Sequence, residues 1–140
     1  MVPTMPSAYA EARLFNPDPT AYLPHRFPFL LLDRVLELEP GVRAVALTTV
    51  SAGRVFPQVL LVESVAQLAG IATIREDGAG GFLAAIDQAD FGRGALTGDV
   101  LIVAVGVLKS FGGLSLVEGR VTCGEELLLT VRLTVGGGRL

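Results

Sequence analysis

RVFPQVLLVESVAQLAGIATI, residues 54–74, decides the fold. The segment from Val59 to Arg75 is apolar on nearly every side and shows no alternation, with one carboxylate, Glu63, in its second turn. Its length, Pro57 at the first turn and the polar stop REDGAGG (75–81) predict a helix over 59–75. A helix without a polar face belongs in the middle of a domain, so the rest of the chain has to wrap it.

The flanks supply the wrapping. FLLLDRVLELE (29–39) reads as a strand, PG (40–41) as a turn and VRAVALTTV (42–50) as the returning strand. After the helix, GFLAAIDQADF (81–91), DVLIVAVGVLKSF (99–111), LSLVEGRVTCG (114–124) and ELLLTVRLTV (126–135) read as four more strands. FGGL (111–114) and CGEE (123–126) are too short for helical crossovers, which makes the strands they join antiparallel neighbours. The expectation is an α+β domain: an opening hairpin, a meander of three or four strands, and one central helix inside the curl of an antiparallel sheet. Six of the eight prolines lie in residues 1–28, predicting an extended arm over 1–22 with a short helical turn in SAYAEARL (7–14). The domain itself is expected over 23–135, and GGGRL (136–140) as a loose tail.

Composition sets bounds on function. A chain of 140 residues holds one domain with a real core. Hydrophobic residues make up 51% and charged ones 18%, more apolar surface than one protomer buries, which points to an oligomer. A net charge of −3 excludes a general attraction to nucleic acid or anionic membranes. No run is long and apolar enough to span a bilayer, and the N-terminus lacks the order of a secretory signal, so the expected location is the cytoplasm. The single cysteine, Cys123, excludes an internal disulfide, and no cysteine–histidine cluster suggests a metal or other cofactor.

Two residues stand out chemically. Glu63 shares a helix face with Gln67, one turn on, and lies among Val59, Leu60 and Ala66. Withdrawal from water would raise its pKa and suit it to proton transfer; a helix-edge carboxylate reaching solvent near the positive end of the dipole is the alternative. His25, the only histidine, sits in LPHRFPF between Pro24 and Pro28, which fix the local backbone for either a structural or a catalytic role. DFGRG (90–94) lacks the spacing of a phosphate loop, and no serine lies in a nucleophile elbow.

Three stretches in order resemble the β-hydroxyacyl-acyl-carrier-protein dehydratases of fatty-acid synthesis. LPHRFPFLLLDRVLELEPG (23–41) is similar to that family's opening signature, FPQVLLVESVAQLAG (56–70) to its helix motif MPGVLIIEAMAQ, and FLAAIDQADFGRGALTGDVLIVAVGVLK (82–109) to its later strand pair. The resemblance implies the hot-dog fold, an antiparallel sheet around one long helix, with protomers paired in dimers. It also implies a 3-hydroxyacyl thioester substrate carried on acyl-carrier protein or coenzyme A. In that family a histidine and a helix glutamate from opposite protomers share the proton transfers.

Carried over residue by residue, the resemblance makes Glu63 the helix carboxylate. It sets Phe56, Pro57, Gln58, Val59, Gln67 and Phe91 along the substrate, and Arg54 and Arg93 toward an acidic carrier. The family's H-F-P-G-x-P loop has no counterpart: TVSAGRVFPQ (49–58) is shorter and contains no histidine, and Gln58 stands where the family has glycine. His25 is then the one imidazole left for catalysis. The function expected is that of an acyl-thioester-binding dehydratase-like protein with altered or impaired chemistry. The alternatives are a half-site subunit paired with a histidine-bearing paralogue, a thioesterase using Glu63, and a binding module without chemistry.

Overall fold

Helix α1 spans Gln58–Ala72 in a computed structural model that describes residues 15–26, 29–53, 56–74 and 81–137. Pro57 precedes it in an extended conformation, where a missing N–H costs nothing. At the other end Thr73 turns its hydroxyl back to the Ala69 carbonyl at 2.8 Å. Leu61, Val65, Leu68, Ala69, Ile71 and Ala72 are fully withdrawn from water. The apolar helix is therefore the centre of the core, as its lack of a polar face requires.

Around it lie β1 (Arg34–Glu39), β2 (Arg43–Thr49), β3 (Gly81–Phe91), β4 (Val100–Phe111), β5 (Leu114–Cys123) and β6 (Glu126–Gly137). They form one antiparallel sheet in the order β1-β2-β4-β5-β6-β3. This is the hot-dog architecture. The hairpins β1–β2, β4–β5 and β5–β6 follow from their tight turns, with Gly41, Gly112, Gly113 and Gly124 at positive φ. The meander is three strands long; β3 crosses to the far edge and pairs with β6 rather than with β4. Inward-facing Ala44, Ala46, Val103, Val105, Val117, Val121, Val131 and Leu133 alternate with outward residues and pack on the helix. Gly119 is what lets β5 approach closely, since a Cβ there would collide with Val65 Cγ1.

Three boundaries differ from the sequence expectation: the helix expected over 59–75 spans Gln58–Ala72 and is closed by Thr73, whose N–H and hydroxyl both bond back to the last turn. The strand predicted over 29–39 begins only at Arg34, because side chains satisfy the backbone before it. Leu31 donates its N–H to Gln67 Oε1 at 3.0 Å and accepts the Thr48 hydroxyl at 2.8 Å. At the C-terminus, Gly136 and Gly137 continue β6 and pair with Phe82 and Gly81, so the strand runs past the expected start of the tail. The predicted helical turn in 7–14 lies outside the described residues.

Among those that are described, the N-terminal segment is fastened to the sheet by the Val35 N–H, which donates to the Pro17 carbonyl at 2.8 Å. No described helix is long and apolar enough to cross a membrane. The edge strand β3 leaves Leu83, Ile86 and Phe91 exposed.

Candidate active site

The sheet leaves one side of α1 to the segment from Tyr22 onward, and a cleft of about 240 Å³ opens between them. Glu63 lies on this side of the helix. So do Gln67 and Gly70, four and seven residues on, the spacings that return to one face at 3.6 residues per turn, and Ile74 follows just past the helix end. His25 projects from the opposite wall, and its Nε2 lies 4.0 Å from Glu63 Oε2. Leu83 and Val135, from β3 and β6, join Ala66 and Ile74 in making the remaining lining apolar. The cleft is thus polar where His25, Glu63 and Gln67 meet and apolar along the helix beyond them.

Each polar group is held by identifiable bonds. The Gln67 side chain is 3% exposed and fully engaged: its Oε1 accepts from Leu31 N–H, while its Nε2 donates to the Phe29 carbonyl at 2.7 Å and to Glu63 Oε2 at 3.1 Å. One amide therefore fixes the carboxylate and also anchors the segment that follows His25. Arg26 pins the His25 loop from outside, its Nη1 donating to the carbonyls of Leu23 at 2.8 Å and of His25 at 2.7 Å.

His25 Nδ1 is buried and makes no hydrogen bond within the described residues, leaving Nε2 as the nitrogen that faces the carboxylate. Side-chain exposures of 35% for His25 and 40% for Glu63 put both groups at the boundary between cleft and solvent. Of the two readings the sequence leaves open, Glu63 follows the solvent-reaching one: the helix faces that bury the core are those of Leu61, Val65 and Leu68, and Glu63 lies off them. At 4.0 Å the pair is in ionic reach without a direct hydrogen bond, and both groups face the same cleft.

Several expected site residues stand elsewhere. Gln67 lines this cleft with Glu63 and His25; Phe56, Pro57, Gln58, Val59 and Phe91 do not. Phe56 is in the core at 6% exposure, and Val59 is exposed at the helix start. The Gln58 side chain turns away to donate to the Gly92 carbonyl at 2.9 Å, tying the helix start to the β3–β4 loop.

Arg93 is occupied within its own chain. Its Nη1 reaches Asp99 Oδ2 at 2.8 Å, and its Nε reaches Glu126 Oε2 at 2.9 Å. The guanidinium holds the Asp99 carboxyl below the usual carboxylate range, helped by the Leu96 N–H, and both acids raise the pKa of Arg93. Arg54 lies outside the described residues. What sequence reasoning missed are Ala66, Gly70 and Ile74, which the helical period from Glu63 could have found, and Leu83 and Val135, which it could not.

Comparison with known proteins gives the chain its relatives. No protein-family model matches the chain. The 3-hydroxyacyl-acyl-carrier-protein dehydratase FabZ of Caldanaerobacter subterraneus subsp. tengcongensis is 39% identical over 132 residues, covering 84% of this chain and 94% of the relative. The FabZ of Symbiobacterium thermophilum is 40% identical over 119 residues, covering 75% of this chain and 84% of that one. Among solved structures, the dehydratase heterocomplex ApeI:P from Xenorhabdus doucetiae superposes with a TM-score of 0.73 at 22% identity, over 89% of this chain and 93% of its own, a likeness of fold. Near-complete coverage at such identity, together with one helix in a six-stranded antiparallel curl, means that the chain belongs to the FabZ-type 3-hydroxyacyl-acyl-carrier-protein dehydratase family.

Proposed function

We propose that the chain dehydrates 3-hydroxyacyl thioesters carried on acyl-carrier protein or coenzyme A, with His25 and Glu63 sharing the proton transfers. The observation that carries this reading is the 4.0 Å approach of His25 Nε2 to Glu63 Oε2 at the polar end of an otherwise apolar cleft. In the reaction one group accepts the C2 proton, and the pair of electrons released forms the C2–C3 double bond as the C3–O bond breaks. The other group donates a proton to the departing hydroxyl, which leaves as water. Each turnover moves one proton onto the base and one off the acid. The pair is then reset by transfer between its two members, and a 4.0 Å gap is within reach of a single bridging water. The acyl chain lies along Ala66, Gly70 and Ile74. With this pair in place of a loop histidine, the chemistry differs in its proton-handling groups from that expected of the family.

Among the described residues the outer edge of β3 is unpaired, and with Leu83, Ile86 and Phe91 exposed it fits pairing with a second chain and an oligomeric enzyme. A heteromer with a histidine-bearing paralogue is the second reading, favoured by the absence of any histidine between Thr49 and Gln58. Hydration of a crotonyl thioester by the parent, His25→Ala and Glu63→Gln tests the proposal. Each substitution is expected to lower the rate by about 10²–10⁴. A parent without hydratase activity, or a His25→Ala variant as active as the parent, refutes it; thiol release from acyl thioesters without hydration would assign a thioesterase instead.

A further inference from the structure

We infer that the outer face of the sheet docks a second copy of this chain, face to face about a two-fold axis running along β4. This surface is separate from the β3 edge and from the cleft at Glu63, and the inference stands whether or not the chain is a dehydratase.

The strand registers carry it. Glu39, Arg43, Gly106, Glu118 and Arg132 are successive partners across β1, β2, β4, β5 and β6. Their strand neighbours Ala44, Val105, Val117 and Val131 are buried toward the helix, so alternation turns this row outward. Its charges run minus, plus, neutral, minus, plus. A two-fold axis along β4, passing over Gly106, reverses that order on the facing copy. Glu39 then meets the partner's Arg132, and Arg43 meets the partner's Glu118, each pair occurring twice. No like charges are opposed. The same axis aligns the strands of the two copies, which is how stacked sheets commonly pack.

The next row fits the same axis. Val45, Ala104, Arg120 and Thr130 are partners across β2, β4, β5 and β6, with Glu37 opposite Val45 on β1. Arg120 makes no ion pair among the described residues, and it lands over the partner's Val45, next to the partner's Glu37. The floor between the charged positions is small. A Cβ on Gly106 would meet nothing within 4 Å, and the groove there, about 580 Å³, also takes in Ala104 and Val45. That space admits Arg43 and Glu118 side chains from both copies over an apolar floor. Within the chain Arg43 bonds Glu37, and Arg132 bonds Glu118 at 3.2 Å. Each guanidinium has five N–H donors, enough for a second acid. Val42 and Leu108 line the same groove at 46% and 51% exposure, apolar area that a lone chain leaves in water.

Charge reversal tests the axis. Mass in solution is measured by light scattering for the parent, Arg43→Glu, Glu118→Arg and the double variant. Each single reversal opposes like charges twice, so the Kd of the assembly is expected to rise by about 100-fold or more and the mass to halve. The double variant restores both opposite pairs between copies while its bonds to Glu37 and Arg132 within the chain stay broken. It is expected to recover the parent's mass, which also excludes misfolding as the cause of the loss. An equimolar mixture of the two single variants is expected to recover it too, since each supplies the sign the other lacks. A monomeric parent, a single variant that keeps the parent's mass, or a double variant or mixture that stays at the lower mass overturns the inference. The parent alone gives a second reading: the Kd of the same step should rise between about 0.05 and 0.5 M salt, and a Kd that does not rise also overturns it.

Discussion

Replacing Gln67 with leucine removes the one side chain that bonds both the carboxylate and the segment beside the histidine. Leu31 is 2% exposed, and its N–H has Gln67 Oε1 as its partner at 3.0 Å; with leucine in place that donor is buried and unpaired. The cost of such a donor is about 1–3 kcal/mol. The two bonds given by Nε2 add less, because the Phe29 carbonyl and Glu63 lie at the solvent boundary and water replaces the lost donor. Leucine is close in size and fills the space, so no large cavity term enters. The expected loss is about 2–3 kcal/mol in all.

With a urea slope of about 1–3 kcal/mol/M, that loss moves the unfolding midpoint down by about 0.7–3 M at unchanged slope. Glu63, released from its donor, should also show a fall in kcat larger than any rise in KM for crotonyl thioester hydration. The companion Gln67→Glu keeps an acceptor for Leu31 but sets a second carboxylate against Glu63. Sharing one proton raises the apparent folded-state pKa of that carboxylate pair, so the penalty is full above it and relieved as the pH falls through it. A Gln67→Leu midpoint within about 0.3 M of the parent, a shift under about 1 kcal/mol at any slope in that range, would refute the role given to this amide.

Other positions give independent tests. Gly119→Ala drives a methyl into Val65 and should cost about 1–3 kcal/mol, and adding Val65→Ala should recover part of it, a non-additivity readable in a double-mutant cycle of urea midpoints. Gly70→Ala meets nothing nearer than Leu23 Cδ2 at 3.8 Å, so the helix should gain about 0.5–1 kcal/mol. Gly70→Leu, projecting into the same cleft, should raise KM for long acyl thioesters while sparing the crotonyl substrate, as competition assays would show. Asp99, whose carboxyl the Arg93 guanidinium holds low, contributes stability above its unfolded pKa of about 4 and loses it as the pH drops through the folded value. Acid titration of urea midpoints should therefore show an acid limb in the parent that is shallower in Asp99→Asn.

How much of this was legible beforehand depends on the range over which the signal acts. The helix could be read because its evidence is local: an unbroken apolar run, a proline at the start and a polar stop. The hairpins could be read because FGGL and CGEE leave no room for anything else. The start of β1 at Arg34 could not, since FLLLDRV has strand composition throughout, while a turn onto the Arg26 carbonyl and the distant side chains of Gln67 and Thr48 take its first half out of the ladder. The placement of β3 beside β6 is equally remote, set by closure of the curl rather than by a turn. The site divides in the same way. Glu63 and Gln67 follow from helical spacing alone, and Gly70 from the same face.

That His25 meets Glu63 follows from no local rule, because the two are 38 residues apart in sequence and no strand ladder sets their register. What brings them together is the chain around His25, laid against the side of the helix that carries Glu63 and tied to it through one glutamine amide. The same amide restrains the carboxylate, so a single buried side chain sets both walls of the pair. The 4.0 Å separation is thus set from both sides through one amide. Such a gap suits a reaction that takes a proton at one carbon and delivers one at the next, since a direct hydrogen bond between the two groups would have to break first.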